Sequence, residues 1–131
     1  MSDELKALQA SKQNYPMQAD EGLLETFSVD ARGELSLTVD MPEFTCLCPI
    51  TGQPDYARFT LEYKPNDKAV ESKSLKLYLG SFRQTGEFHE RVTMRIGRAL
   101  VNVLKPQHLV LRGSFNARGG IGFNTVYRYV E

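Results

Sequence analysis

The sequence predicts an α+β domain, an antiparallel sheet with two helices packed on one face. Three observations carry that expectation. Apolar and polar residues alternate in several segments before residue 65 and after residue 107, the period-2 mark of half-buried strands. Between them, apolar residues recur at helical spacing. Strands, then helices, then strands is the order of an α+β fold, not of a parallel α/β sheet.

Each element has its own signal. Residues 1 to about 20 show no sustained periodicity and read as a short helix or an arm over a neighbouring subunit. The domain proper runs from 21 to 131. LLETFSVDARGELSLTVDMPEF reads as a β-hairpin, with Leu35, Leu37 and Val39 alternating with Ser36 and Thr38 and Asp30–Gly33 as its turn. After CLCPITGQPD, the stretch YARFTLEYKP alternates through Phe59, Leu61 and Tyr63 until Pro65 ends it. Leu75, Tyr78, Leu79 and Phe82 give a helix from about Leu75 to Arg83. Thr85 is the candidate cap of a second helix, striped by Phe88, Val92, Ile96, Ala99 or Leu100, and Val103, and closed by Pro106. HLVLRGSFN and GIGFNTVYRYVE are two further strands joined by the turn ARGG. A sheet this small leaves two open edges, so a homo-oligomer is expected.

Composition narrows the function classes. With 131 residues, 41% hydrophobic and 24% charged, the chain is one ordinary globular domain with a sizeable core. Sixteen basic residues balance sixteen acidic ones, so no overall field draws in nucleic acid or an anionic membrane. No apolar run approaches the roughly 18 residues of a membrane span, and the N-terminus has no apolar signal core. A cytoplasmic location with reduced thiols is expected.

Four short stretches carry chemistry-bearing residues, and each has a plain structural reading beside a functional one. In FTCLCPITGQPDYA, Cys46 and Cys48 share one face of an extended segment, and the TGQPD bend returns Asp55 toward them. A disulfide would close a very tight loop. Zinc would need further ligands, with only His89 and His108 on offer. A single reactive thiol beside a proton donor is the third option. The plain reading is a buried cysteine and a turn-forming aspartate.

In VESKSLKLYLGSF, Glu71, Lys73 and Lys76 crowd a helix N-terminus with Ser72 and Ser74 between them. That suits a phosphorylated cofactor, or simply a capped, solvated helix. In GEFHERV, Glu90 beside His89 could accept paired hydrogen bonds from the N–H/NH2 edge of a guanine-like ring, or serve only the helix dipole. In SFNARGGIGF, Arg118 beside Gly119 and Gly120 could clamp a phosphate or decorate a hairpin turn.

Taken together, CPITGQPDYA, ESKSLKLYL, EFHE and ARGGI, in this order and spacing, closely resemble the QueF family of nitrile oxidoreductases. These are NADPH-dependent reductases of 7-cyano-7-deazaguanine (preQ0) in queuosine biosynthesis, a tRNA-modification pathway. The similarity runs from about Glu21 to Tyr129 and suits the short, single-module type. It implies the tunnelling fold, ββααββ, in which sheets from several subunits join into a barrel and active sites form where subunits meet. Stacked pentamers are the implied assembly.

The same resemblance implies that Cys48 is the nucleophile and Asp55 the proton donor, with Cys46 matching no catalytic position. Val70, Glu71, Ser72, His89 and Glu90 match substrate-binding positions. Lys73, Lys76 and Arg118 would contact the phosphates of NADPH. The product would be the aminomethyl compound preQ1, formed with two NADPH through a cysteine thioimide and without a metal. The competing reading on the same fold is a zinc-dependent GTP cyclohydrolase, in which Cys46 or Cys48 would bind the metal.

Overall fold

The computed structural model describes residues 17–131. The expected arm falls largely on residues outside that range. What is described of it, residues 17–20, lies against the helical layer, with the Ala19 N–H donating to Thr85 Oγ1 at 3.1 Å and the Asp20 N–H to Ser81 Oγ at 3.2 Å.

A 3-10 turn at Glu21–Leu23 leads into β1 (Thr26–Ser28), β2 (Leu37–Leu47), β3 (Pro54–Lys64) and β4 (Lys68–Val70). Two helices follow, α1 (Ser72–Gly80) and α2 (His89–Leu104), then β5 (His108–Arg118) and β6 (Ile121–Val130). The main sheet has the order β2-β3-β5-β6, antiparallel throughout. Both helices cover one face of it, as expected.

The first hairpin is a correction. β1 does not pair with β2; it pairs with β4, Thr26 opposite Val70 and Ser28 opposite Lys68. Asp30 and Arg32 adopt positive φ, 44° and 46°, which bends the chain away from a return along β1. The freed backbone groups go elsewhere, with the Ala31 and Arg32 N–H groups both donating to the Asn66 carbonyl at 2.8 Å. The hairpin that enters the sheet is instead β2–β3, closed by residues 48–53.

Strand β3 shows why this sheet faces one way. Asp55, Ala57, Phe59, Leu61 and Tyr63 are buried, and the residues between them point outward. Strand β2 keeps step only through a bulge. Met41 opposes Phe59 and Phe44 opposes Ala57, so β2 carries one extra residue at Pro42–Glu43. Pro42 is tolerated because β2 is an edge strand. The extra residue shifts the alternation, so that Phe44 and Cys46, rather than Glu43 and Thr45, face inward.

Phe44 meets Phe59 edge-on at 4.9 Å between ring centroids, and Phe59 meets Phe115 at 5.7 Å. Val92, Ile96, Leu100 and Leu104 of α2 close the core from above, and all four are fully buried.

The helix boundaries differ from expectation: the first helix, expected from about Leu75 to Arg83, runs three residues earlier at both ends, and the second starts later than a Thr85 cap implies. α1 begins at Ser72 because Glu71 caps it, its carboxylate accepting from the N–H groups of Lys73 at 2.9 Å and Ser74 at 2.7 Å. α2 begins at His89, with Phe88 at the cap position and no side-chain cap. Thr85, the expected cap, lies in the connection and accepts from Ala19. Phe88 is 44% exposed and so leaves the apolar stripe it was expected to begin. The outer end of the helical layer is tied by Glu21, which accepts from Arg95 Nη2 at 2.8 Å and from the Tyr78 hydroxyl at 2.7 Å.

The approach of α2 to the sheet depends on one glycine. A Cβ at Gly97 would stand 2.3–2.8 Å from three atoms of the Tyr127 ring on β6. Gly97→Ala is expected to destabilise the fold by about 1–3 kcal/mol, as overpacking does. Urea unfolding measures this, and an unchanged midpoint would mean that the ring swings clear without cost.

Candidate active site

The end of the sheet where β2 meets β3 holds most of the residues singled out for chemistry. Cys46 on β2 is the register partner of Asp55 on β3, and the Thr45 hydroxyl donates to the Asp55 carbonyl at 2.8 Å. Asp55 is the second residue of β3 and lies in its inward-facing set. A period-2 reading of β3 carried back from Phe59 through Ala57 reaches it, so its burial was legible.

What surrounds its carboxylate was not legible. Arg118, at the end of β5, places Nε 2.8 Å from Asp55 Oδ1. His89, the first residue of α2, places Nε2 3.3 Å from Oδ2. The Asp55 side chain is only 6% exposed, so an acid at the edge of the core is held by two groups from distant elements. His89 is fixed in turn by stacking on Phe115, 4.0 Å between centroids and 13° from parallel. Arg118, expected at a cofactor phosphate, therefore has its guanidinium on Asp55 and on the Pro54 carbonyl.

Cys48 follows the last residue of β2. Leu47 accepts from the Glu87 N–H at 3.0 Å and donates to the Thr85 carbonyl at 2.9 Å, which brings the end of β2 beside the start of α2. A cleft of about 260 Å³ opens there, lined by Cys48, Asp55, His89, Glu90, Arg118 and Phe123, among others. Glu90 stands exposed on its border, and its carboxylate makes no ion pair or side-chain hydrogen bond among the described residues.

The two thiols have opposite characters. Cys46 is fully buried, and burial, with the nearby Asp55 charge, pushes its pKa up to about 12. It packs in the core and does not line the cleft, so the expectation that both sulfurs could share one site is corrected. Cys48 is half-buried and free. The Thr51 hydroxyl and the backbone N–H groups of Thr51 and Ile50 donate to its sulfur and lower its pKa, outweighing burial and the Asp55 charge.

The other predicted residues form a second group. Val70 ends β4, and its N–H donates to the Tyr63 hydroxyl at 3.1 Å. Tyr63 and Asp55 are eight positions apart on β3, about 26 Å of strand. Ser72 and Lys76 line a separate groove of about 400 Å³ between α1 and β2, together with Arg83. Glu71 is the helix cap already described, so the N–H groups expected to receive an anion are occupied by its own carboxylate. Hydrogen bonds to those two N–H groups lower the pKa of Glu71.

A phosphorylated dinucleotide fits this donor set. Lys73 and Lys76 are exposed and one helical turn apart on α1, and Lys76 lines the groove. Zinc finds no such set. Among the described residues, no three His, Cys, Asp or Glu side chains converge to hold a metal ion. His108 pairs with Lys64, nine positions along β3 from Asp55, about 30 Å away.

The contrast between the thiols gives a direct expectation. In the folded protein, iodoacetamide should modify Cys48 within minutes at neutral pH and leave Cys46 untouched until denaturant is added. Peptide mass spectrometry reads both sites, and equal labelling of the two in the native state would contradict the burial described here.

Comparison with known proteins agrees with the geometry. Residues 54–131 match the family described as QueF-like protein. A protein of Streptococcus mutans named NADPH-dependent 7-cyano-7-deazaguanine reductase is 46% identical over 127 residues, covering 96% of this chain and 78% of its own length. A protein of the same name from Nitrosomonas europaea is 52% identical over 105 residues, covering 79% and 75%. Among solved structures, an archaeosine synthase QueF-Like in the apo form superposes with a TM-score of 0.63 at 17% identity, over 72% of this chain and 90% of that one, a likeness of fold. The signature residues, the cleft holding thiol and acid, and these relatives lead to one conclusion: the chain belongs to the QueF family.

Proposed function

We propose that this chain reduces the nitrile of 7-cyano-7-deazaguanine to the primary amine preQ1 with two NADPH, through a thioimide on Cys48. The observation that carries the reading is a thiol of lowered pKa opening into the same cleft as a buried carboxylate. The relatives named above are NADPH-dependent reductases of this nitrile.

The chemistry asks for those two groups. A nitrile carbon is an electrophile that a thiolate can attack, and the nitrogen that gains the electron pair needs a proton. Cys48 Sγ forms the new C–S bond as an electron pair of the C≡N bond moves to nitrogen, and the proton released by the thiol passes through the Asp55 carboxylate to that nitrogen, leaving a neutral thioimide. When bound, NADPH supplies hydride, twice, which takes the carbon from the thioimide to the amine level. Between the two reductions Cys48 is the leaving group, and the hydrogen bonds that favour its thiolate also favour its departure. Glu90, exposed and without a side-chain partner among the described residues, offers two acceptor oxygens to the N–H/NH2 edge of the deazaguanine. His89 borders the same space. Lys73 and Lys76 suit the phosphates of the dinucleotide.

Two copies of the chain complete the arrangement. Val70 is tied to Tyr63, about 26 Å along β3 from Asp55, and Ser72 lines a groove other than the Cys48 cleft, so the signature of a neighbouring copy would face the cleft. Among the described residues β2 and β6 are the outer strands of the main sheet, and Ile121, Phe123, Val126 and Val130 of β6 are exposed. These edges suit pairing into a barrel, with stacked pentamers as the proposed form. No helix among the described residues is long and apolar enough to cross a membrane. A cytoplasmic enzyme acting on a free small molecule, with no part for nucleic acid or a membrane surface, fits the proposal.

Incubation with preQ0 in the absence of NADPH should add the mass of one nitrile to the protein. Cys48→Ala should abolish both this adduct and NADPH consumption, and turnover by that variant would remove Cys48 from the role of nucleophile. Asp55→Asn should slow turnover by about 10²–10⁴-fold, the usual contribution of a positioned acid. Equal mixing and reassembly of Cys48→Ala and Glu71→Gln chains should restore about a quarter of wild-type activity if each site draws on two copies. No recovery after reassembly would place both residues in sites formed by single chains.

A further inference from the structure

The alternation of β5 would turn Arg118 away from the cleft, yet its side chain reaches Asp55. Along β5, Leu109, Leu111, Gly113 and Phe115 face the core, and Arg112, Ser114 and Asn116 face outward. Strict alternation would put Ala117 on the core side and Arg118 on the solvated face. The ladder slips by one residue at this point: Phe115 opposes Phe123, whereas Arg118 opposes Ile121. The extra residue is a bulge on β5, and it turns Arg118 to the side that Ile121 and Phe123 share, the side of the Cys48 cleft. The return to β6 takes only Gly119 and Gly120, both at positive φ, 57° and 81°.

Once turned inward, the guanidinium is held by two consecutive residues at the start of β3. Its Nε stands 2.8 Å from Asp55 Oδ1, and its Nη2 donates to the Pro54 carbonyl. The planar fork therefore fixes the carboxylate against the backbone of its own strand. A lysine ammonium, a single point of charge, could not hold both acceptors in one plane.

This clamp leaves the two carboxylate oxygens in unlike surroundings. Oδ1 faces a guanidinium, which has donors only, so Oδ1 stays an acceptor. Oδ2 faces His89 Nε2 at 3.3 Å, and an imidazole nitrogen can either donate or accept. A proton arriving at the carboxylate is thereby directed to Oδ2.

We propose that Arg118 is the positioning residue of Asp55: its guanidinium, aimed by the β5 bulge, locks Oδ1 and leaves Oδ2 as the oxygen that takes the Cys48 thiol proton and hands it to the nitrile nitrogen. This rests on the reading of Asp55 as the proton carrier in the reductase reaction. The clamp itself gains and loses no proton. One proton leaves the thiol as the C–S bond forms, one arrives at nitrogen, and Asp55 ends as the carboxylate it began.

The test measures the rate of preQ0 adduct formation without NADPH, by mass spectrometry of the quenched full chain. A cofactor contact has no part in that step, and an Asp55 clamp has. Arg118→Ala should slow it by about 10–100-fold, the effect of a misplaced reacting group, while KM for NADPH in the complete assay stays near the wild-type value. Guanidinium chloride below denaturing concentration should restore part of the rate to this variant and none to the wild type. Arg118→Lys keeps the charge and loses the fork, so it should remain slow, and it carries the comparison if circular dichroism shows the Ala variant unfolded. Adduct formation at the wild-type rate together with a raised KM for NADPH overturns the proposal and puts Arg118 on the cofactor. If the wild type itself forms no adduct, the reductase reading fails, and urea unfolding then decides the clamp alone. Arg118→Ala should lower the unfolding midpoint less in an Asp55→Ala background than in the wild type, and equal losses in the two backgrounds overturn the clamp.

Discussion

The active end of this molecule depends on one carboxylate that ought not to be there. Asp55 continues the inward-facing row of β3 beyond Phe59 and Ala57, so a charge stands at the edge of a hydrocarbon core. A buried charge persists only with partners. Arg118 comes from the end of β5 and His89 from the first residue of α2, so holding Asp55 ties the β5–β6 turn and the helix start to the β2–β3 hairpin. The cleft lies among these tethered pieces, and its shape follows from the requirement to satisfy one acid.

The two cysteines show how position along a strand decides chemistry. They have the same residue type and, through the bulge at Pro42–Glu43, the same inward parity. Cys46 is still inside the ladder, under Asp55, where hydrocarbon and a neighbouring negative charge make ionisation costly. Cys48 is one residue past the end of β2, where the backbone begins to turn and its N–H groups are available to the sulfur. Two residues of chain separate an inert packing group from a thiol suited to attack.

The division between the cleft and the α1 groove gives the fold an incomplete look in one copy. A short sheet with two unpaired edges gains ladder hydrogen bonds by pairing with another copy. The same pairing would bring one chain's signature residues toward another chain's thiol. Assembly and catalysis would then have a common physical origin, the open edges of β2 and β6.

The sequence by itself determined the class of fold, the strands of the main sheet and the two helices, because periods of two and 3.6 residues are written locally. It also marked Cys48, Asp55, His89, Glu90 and Arg118 as residues of interest, through short motifs. It misled on β1, whose alternation is that of any strand. Only tertiary contact with Asn66 and β4 decided the partner, since pairing is a choice among distant segments. Residue spacing alone did not separate the two cysteines, although the family resemblance matched only Cys48 to a catalytic position, because burial depends on where the ladder stops and on a one-residue bulge. The bonds from Arg118 and His89 to Asp55 join residues 63 and 34 positions away in sequence. No local pattern encodes such a meeting, and folding alone brings those three groups to one place.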